Sequence, residues 1–225
     1  VAICRGDVLL WRMLRDYGHL PKSPSVLELG EANWAFDVDP QDCPEFAGVD
    51  WPSLKDEKYV AFAVAKLWYK TLLDYSRIVS VDFSGTPDAL KRDLNRPLPI
   101  EETFDIVVNS GTIEHCFDQL QCFVTAHERT RPGGLMIHAC PISGWKDHSL
   151  FLHTPLLYRC LAEANGYEVV ACVLSNFTTG WVEPIQLAGV DVTAPRCFGG
   201  DLMIHVALRK TSDARFCVPY QGIRQ

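Results

Sequence analysis

Several short stretches of this chain carry side chains whose type and spacing could do chemistry. VLELG (26–30) sets Glu28, Leu29 and Gly30 at the end of an apolar run. A glycine directly behind a buried strand lets backbone come close to a ligand. VDF (81–83) puts Asp82, followed by Phe83, at a second strand end. A carboxylate there can accept both hydroxyls of a ribose, or cap a turn. Asp93 and Leu94 precede Pro97 and Pro99. They pair an acidic acceptor with a free backbone N–H, which can read an adenine edge or close a solvated turn. FDIVVNSGTIEHC (104–116) runs an apolar strand into Asn109, Ser110 and Gly111, then Glu114 and His115. ISGWKDHSLFLHTP (142–155) gathers Trp145, His148, Phe151 and His153. Its aromatics suit a flat or apolar molecule, and its histidines suit proton removal near neutral pH. Asp147, His148 and His153 also form a possible metal set, but no further acidic ligand stands at the usual spacing, so no metal is expected.

The elements that must position these groups follow from periodicity. Residues 7–17 predict a short amphipathic helix with Asp7 as N-cap and Gly18 as its stop. Strands are predicted at 25–30, 77–83, 104–111, 135–141, 167–175 and 201–210, with a brief one after the 86–93 turn. Helices are predicted at 57–75, at 119–131 before Pro132, Gly133 and Gly134, and at 154–166. The last has Thr154 as N-cap, Pro155 at its first position and Gly166 as its stop. Residues 31–56 hold three prolines, five aspartates, Trp34 and Trp51, and read as an irregular, partly helical insertion. Alternating strands and helices imply a mostly parallel sheet covered on both faces. The final two strands have no helix between them and can pair antiparallel.

The 225 residues fit a single domain able to bury a core without staples. A net charge of -7 and scattered basic residues argue against a nucleic-acid partner. Nine cysteines, an odd number with no C-x-x-C pair, read as reduced, mostly buried thiols of a cytoplasmic protein. No signal peptide and no bilayer-spanning apolar run is visible, so no membrane partner is expected.

Taken in order, ELGEANW, VDF, DLNRPLP, FDIVVNSGTIEH, RPGG and the helix leading into NGYEVV resemble the class I S-adenosylmethionine (SAM)-dependent methyltransferases, from about Ser25 to about Lys210. The resemblance implies a doubly wound α/β fold: a mostly parallel seven-stranded sheet, its last strand antiparallel, with helices on both faces. It implies SAM as cofactor. Glu28, Leu29 and Gly30 would stand at the first turn, Asp82 at the ribose beside Phe83, and Asp93 and Leu94 at the adenine. Asn109, Ser110, Gly111 and His115 would lie by the methionine part. Two departures stand out. Gly30 is the only glycine left of the usual glycine-rich turn, and about 50 residues separate it from Asp82. The whole chain, 1–225, then forms one domain, with an N-terminal helical segment (1–20) and the 31–56 insertion near the cofactor mouth. There the tryptophans could cover the sulfonium by cation–π contact or simply pack the insertion down. A dinucleotide-binding domain would need G-x-G-x-x-G and an acid about 20 residues further on, and this chain has neither.

Three function classes remain from the sequence. The first is a methyltransferase acting on a small molecule, at oxygen, with His148 or His153 as base and Trp145 and Phe151 against the acceptor. The second is a methyltransferase acting on protein or RNA, which would need a basic groove. The third is a non-catalytic binding protein on the same fold, supported only by the reduced glycine turn. Oligomeric state is open.

Overall fold

A computed structural model describes residues 2–35, 37–49, 59–188 and 200–221. In chain order the elements are β1 (Ala2–Ile3), α1 (Arg5–Asp16), β2 (Ser25–Leu29), β3 (Asn33–Trp34), α2 (Val60–Leu73), β4 (Arg77–Asp82), β5 (Leu90–Lys91), β6 (Phe104–Ser110), α3 (Gln119–Arg129), β7 (Thr130–Ser143), α4 (Pro155–Asn165), β8 (Glu168–Asn176), β9 (Trp181–Pro184) and β10 (Leu202–Arg209). Single turns of 3₁₀-helix at Pro40–Asp42, Pro44–Phe46 and Ile113–His115 join them.

The main sheet has the order β5-β4-β2-β6-β7-β10-β8-β9. Strands β5, β4, β2, β6 and β7 pair in parallel. β10 runs antiparallel to both β7 and β8, and β9 runs antiparallel to β8. The sheet therefore has eight strands rather than the seven expected, and two of them are reversed. The additional one, β9, falls between the predicted strands at 167–175 and 201–210, where no strand is expected. Its four residues are only partly buried, so they carry no alternation strong enough to read.

Side chains alternate across the sheet and sort into two cores. Val26, Ile106, Val108, Leu135, Ile137, Val173 and Ala207 pack against α1 and α2. Leu27, Leu29, Val107, Met136, Cys172, Leu174 and Val206 pack against α3 and α4. Helices therefore cover both faces. Trp11 of α1 meets Trp68 and Tyr69 of α2 edge-on, at ring separations of 6.2 and 5.5 Å, an arrangement that aromatic quadrupoles favour.

Helix α1 begins two residues earlier than expected. Cys4, not Asp7, is its N-cap; Asp7 is the third helical residue, and its carboxylate accepts the Cys4 N–H at 3.0 Å. The same carboxylate meets the His205 ring of β10 at 3.3 Å, and the far side of that ring lies 2.8 Å from the Ser175 hydroxyl of β8. All of these groups are buried, so this polar contact fastens α1 to the sheet. Helix α4 has the expected caps, with Thr154 ahead of Pro155 and Gly166 left-handed at φ 64°.

The described part of the 31–56 segment packs onto α1 and α2. Trp34 is 2% exposed, between Phe46 and Trp68. Glu45 binds Arg12 and Arg15 of α1. Trp34 is thus a core residue and cannot cover a sulfonium, while Trp51 lies outside the described residues. The eight described cysteines are free thiols. Among the described residues no helix is long and apolar enough to cross a membrane.

Candidate functional site

The chain leaves β2 toward β4 and β5 on one side and returns to β6 and β7 on the other. The crevice beyond the carboxyl ends of β2 and β6 is thus the switch point, where open α/β sheets bind ligands. The turn after β2 opens with Gly30 at φ 90°. A Cβ there would overlap the Thr112 side chain of the turn after β6, 1.8 Å from its hydroxyl oxygen. Glycine is needed here for both its left-handed backbone and its missing side chain. The Thr112 hydroxyl is buried at this crossing with no hydrogen-bond partner among the described residues.

Charged groups hold this turn where further glycines are missing. Glu28 lies beneath it, fully buried, bound by Lys66 of α2 and by the Ser80 hydroxyl of β4. Burial raises the Glu28 pKa, and Lys66 and Ser80 oppose the rise. Glu31, also buried, accepts the Thr86 N–H at 2.6 Å and the Thr86 hydroxyl at 3.0 Å. The Asp82 carboxylate accepts the Glu31 N–H at 2.9 Å and the Ser84 and Gly85 N–H groups at 2.7 Å. Burial works against its ionisation, but these N–H groups outweigh it and hold the pKa below the usual value. Asp82 is therefore an anion at neutral pH, with a partly exposed edge. Beside it Phe83 is 80% exposed.

The 93–95 turn is tied to the start of α3. Asp93 is exposed and accepts the Asn95 N–H at 2.9 Å; the Asn95 side chain accepts the Asp118 N–H at 2.8 Å. Leu94 is buried. Across the crevice the Asn109 side-chain oxygen accepts the N–H groups of Thr112 and Ile113 at 3.0 Å. Gly111 takes φ 77° and donates its N–H to Ala139 at 2.8 Å. Asn109 and Ser110 are buried, so Asn109 shapes the turn with its side chain.

The 144–154 loop closes the other side. Its backbone is left-handed at Gly144, Trp145 and Asp147. The Trp145 N–H donates to Asp201 at 2.7 Å. The Trp145 ring stands 4.8 Å from that of His148 and 5.4 Å from that of Phe177, and His148 stands 5.0 Å from His115. A hollow of about 720 Å³ opens here, lined by Trp145, His148 and Asp201. The Glu114 carbonyl accepts the N–H groups of Leu150 and Phe151 at 3.1 Å, fixing the loop to the turn after β6. The Glu114 side chain is 1% exposed, and burial raises its pKa to about 7. Burial and then the neighbouring His148 lower the pKa of His115.

The structure therefore brings Trp145, His148, His115 and Glu114 together, and separates them from two expected partners. Phe151 lies 6.1 Å from Phe117 and lines another hollow, of about 300 Å³, with Leu120, Leu152 and Val218. His153 is 2% exposed; one ring nitrogen is 2.8 Å from the Gln119 side chain and the other 3.1 Å from the Tyr158 hydroxyl. Burial lowers its pKa to about 4. With both nitrogens engaged, His153 is a packing residue, which corrects its reading as a base. The Asp147–His148–His153 metal set fails for the same reason.

Sequence reasoning did not assign roles to Glu114, Glu31, Lys66 or Thr112. Lys66 had a signal, being the one charge inside the apolar helical run VAFAVAKLWY. A lone lysine on such a face calls for a buried carboxylate.

No family model matches this chain, and no curated protein matches it. Solved structures do. One is the Burkholderia thailandensis 1,6-didemethyltoxoflavin-N1-methyltransferase with bound 1,6-didemethyltoxoflavin and S-adenosylhomocysteine, at 14% identity, covering 91% of this chain and 77% of that one, TM-score 0.52. Another is the complex of the Haloferax volcanii Trm112 methyltransferase activator with a candidate methyltransferase, at 13% identity, covering 92% and 94%, TM-score 0.50. Likeness at this level shows the fold: the chain has the α/β fold of the class I SAM-dependent methyltransferases.

Proposed function

We propose that this protein is a SAM-dependent methyltransferase that methylates an oxygen of a small molecule. The observation that carries the reading is the convergence, at the switch point, of the Gly30 turn, the ionised Asp82 and the 109–115 turn. The buried Thr112 hydroxyl, without a hydrogen-bond partner among the described residues, faces that crossing, as a group awaiting a polar ligand would. Asp82 would accept the ribose hydroxyls, with Phe83 against the base and Asp93 and Leu94 at its edge. Gly30 and the 109–111 backbone would hold the methionine end beside His115. Bound SAM supplies an electrophilic methyl group on a positive sulfonium.

The chain's own task is to place the acceptor in line behind that methyl, a positional effect. Trp145 and His148 form the wall against which a flat acceptor would lie. Handling of the acceptor's proton falls to the Glu114–His115–His148 group, since His153 is occupied. The Burkholderia relative's small-molecule ligand supports this acceptor class, and so does the net charge of -7, which disfavours a polyanionic substrate. Its N1 chemistry leaves oxygen resting on the proton-handling group alone.

The test is calorimetric titration with SAM and with S-adenosylhomocysteine. Micromolar binding that Asp82→Ala weakens at least roughly ten-fold supports the reading. Well-folded protein that binds neither ligand would move it to a non-catalytic role.

A further inference from the structure

Two groups of metal-type ligands occur among the described residues: Cys4, Asp7 and His205, and Glu114, His115 and His148. The first is sealed. All three side chains are buried, Asp7 Oδ1 and His205 Nδ1 face each other at 3.3 Å without a hydrogen bond, Ser175 meets the other ring nitrogen, and a Cβ on Gly6 would run into the His205 ring at 2.1 Å. That group fastens a helix. The second lies at the acceptor wall and is open on one side.

In the second group one donor atom of each residue lies within 4.8 Å of the others. Glu114 is buried; its carboxylate is approached by its own backbone N–H, by the Cys140 thiol at 3.7 Å and by His115 Nε2 at 4.0 Å. Among the described residues no lysine or arginine pairs with it. A buried carboxylate that no lysine or arginine neutralises gains from a cation placed beside it. Both imidazoles keep exposed edges, so solvent or a substrate could fill the remaining coordination positions. The support is rigid. The Glu114 carbonyl binds the loop that carries His148, Asp201 anchors that loop at Trp145, and the Trp145 ring backs the His148 ring. Ordered surroundings of this kind orient metal ligands.

We propose that Glu114, His115 and His148 form a divalent-cation site at the methyl-acceptor position. Two imidazoles and one carboxylate select borderline ions of the Co²⁺, Zn²⁺ and Fe²⁺ kind over Mg²⁺. The proposal rests on the methyltransferase reading for its role, not for its binding. In that role the cation narrows the substrate to molecules presenting a hydroxyl beside a second oxygen, able to bind it through both. Coordination lowers the hydroxyl pKa, and its proton leaves to solvent. The oxyanion then forms the O–C bond to the methyl as the S–C bond breaks, and that electron pair stays on sulfur. His148 is then a ligand rather than a base.

The test is titration of chelator-treated full-length protein with Co²⁺, followed by calorimetry and visible absorption, with Mg²⁺ and SAM titrated in parallel. One Co²⁺ per chain is expected, with a spectrum of mixed nitrogen and oxygen ligands and weaker Mg²⁺ binding. His115→Ala and His148→Ala should each weaken Co²⁺ at least roughly ten-fold, while Asp147→Asn, next in sequence but outside the trio, leaves it unchanged. His148 is exposed, so its variant will fold, and circular dichroism checks this. Absence of binding at millimolar Co²⁺, or binding that survives the double histidine variant, overturns the site. SAM binding without Co²⁺ binding would sink the cation site alone. Co²⁺ binding without SAM binding would support the site and sink the methyltransferase reading.

Discussion

His148 and His153 stand five residues apart in one loop, yet their surroundings assign them opposite work. His153 gives both ring nitrogens to neighbours inside the core, whereas His148 presents an exposed ring edge beside Trp145. Replacing His148 by Ala should lower turnover on the order of 100-fold and leave SAM affinity unchanged; steady-state rates and a SAM titration on the same preparation separate the two effects. Replacing His153 by Ala should instead cost about 2 kcal/mol of stability, read from the denaturant midpoint, and leave turnover per folded molecule near normal. Equal loss of turnover in both variants would contradict this division. The His153 pKa, lowered by burial to about 4 from 6.5, adds a sign. As pH falls below 6.5 the unfolded chain takes this proton first, so His153 makes stability decline on acidification through that window, and His153→Ala should flatten the decline. The sequence shows both histidines with equal clarity and cannot divide their roles, because Gln119 and Tyr158 become neighbours of one only in three dimensions.

Helix α1 and the 31–49 segment show how elements far apart in sequence are bound by charge. Glu45 accepts hydrogen bonds from Arg12 at 2.7 and 3.0 Å and from Arg15 at 2.9 Å. Burial opposes the Glu45 charge, but the two guanidiniums dominate and bring its pKa from 4.5 to about 2. A carboxylate with a depressed folded pKa contributes stability that is present above its unfolded pKa. That contribution disappears as pH falls from about 4.5 toward 2. Because the arginines are partly exposed, solvent screens the pair, and Glu45→Gln should cost only about 1 kcal/mol at neutral pH. Unfolding curves at pH 7 and pH 3 should show the variant's deficit shrinking in acid; a deficit independent of pH would mean that Glu45 acts through packing. This attachment is invisible in the sequence, since 30 or more residues separate the partners. The helices and parallel strands were legible because their apolar periods are long. The two-residue strands β1 and β3 and the half-buried β9 present too few alternating residues to read.

Across the whole molecule the sheet divides at the switch point into a β2–β4–β5 half and a β6–β7–β10–β8–β9 half, joined by pairing between β2 and β6 that covers three registered residues, Val26 to Glu28. Order and spacing of motifs were enough to expect a crevice here. They could not show that Lys66, Glu28, Glu31 and Thr86 hold it, since those contacts join three separate stretches of chain: the end of β2, α2 and the turn after β4. A cofactor seated there would touch turns from both halves and bind only the folded chain. Ligand at a hundred times its dissociation constant stabilises the folded state by about 2.7 kcal/mol. For a domain of this size each kcal/mol raises the melting temperature by about 2–4 °C. SAM or S-adenosylhomocysteine in such excess should therefore raise melting by about 5–10 °C, as one cooperative transition, because the bound molecule spans both halves. The Asp82→Ala protein should lose most of that rise, and without ligand it should melt about 2–4 °C below wild type, since three backbone N–H groups lose their carboxylate. A rise that Asp82→Ala keeps in full would place the ligand away from the switch point, and the assignment of Gly30, Asp82 and the 109–111 turn to the cofactor would fall.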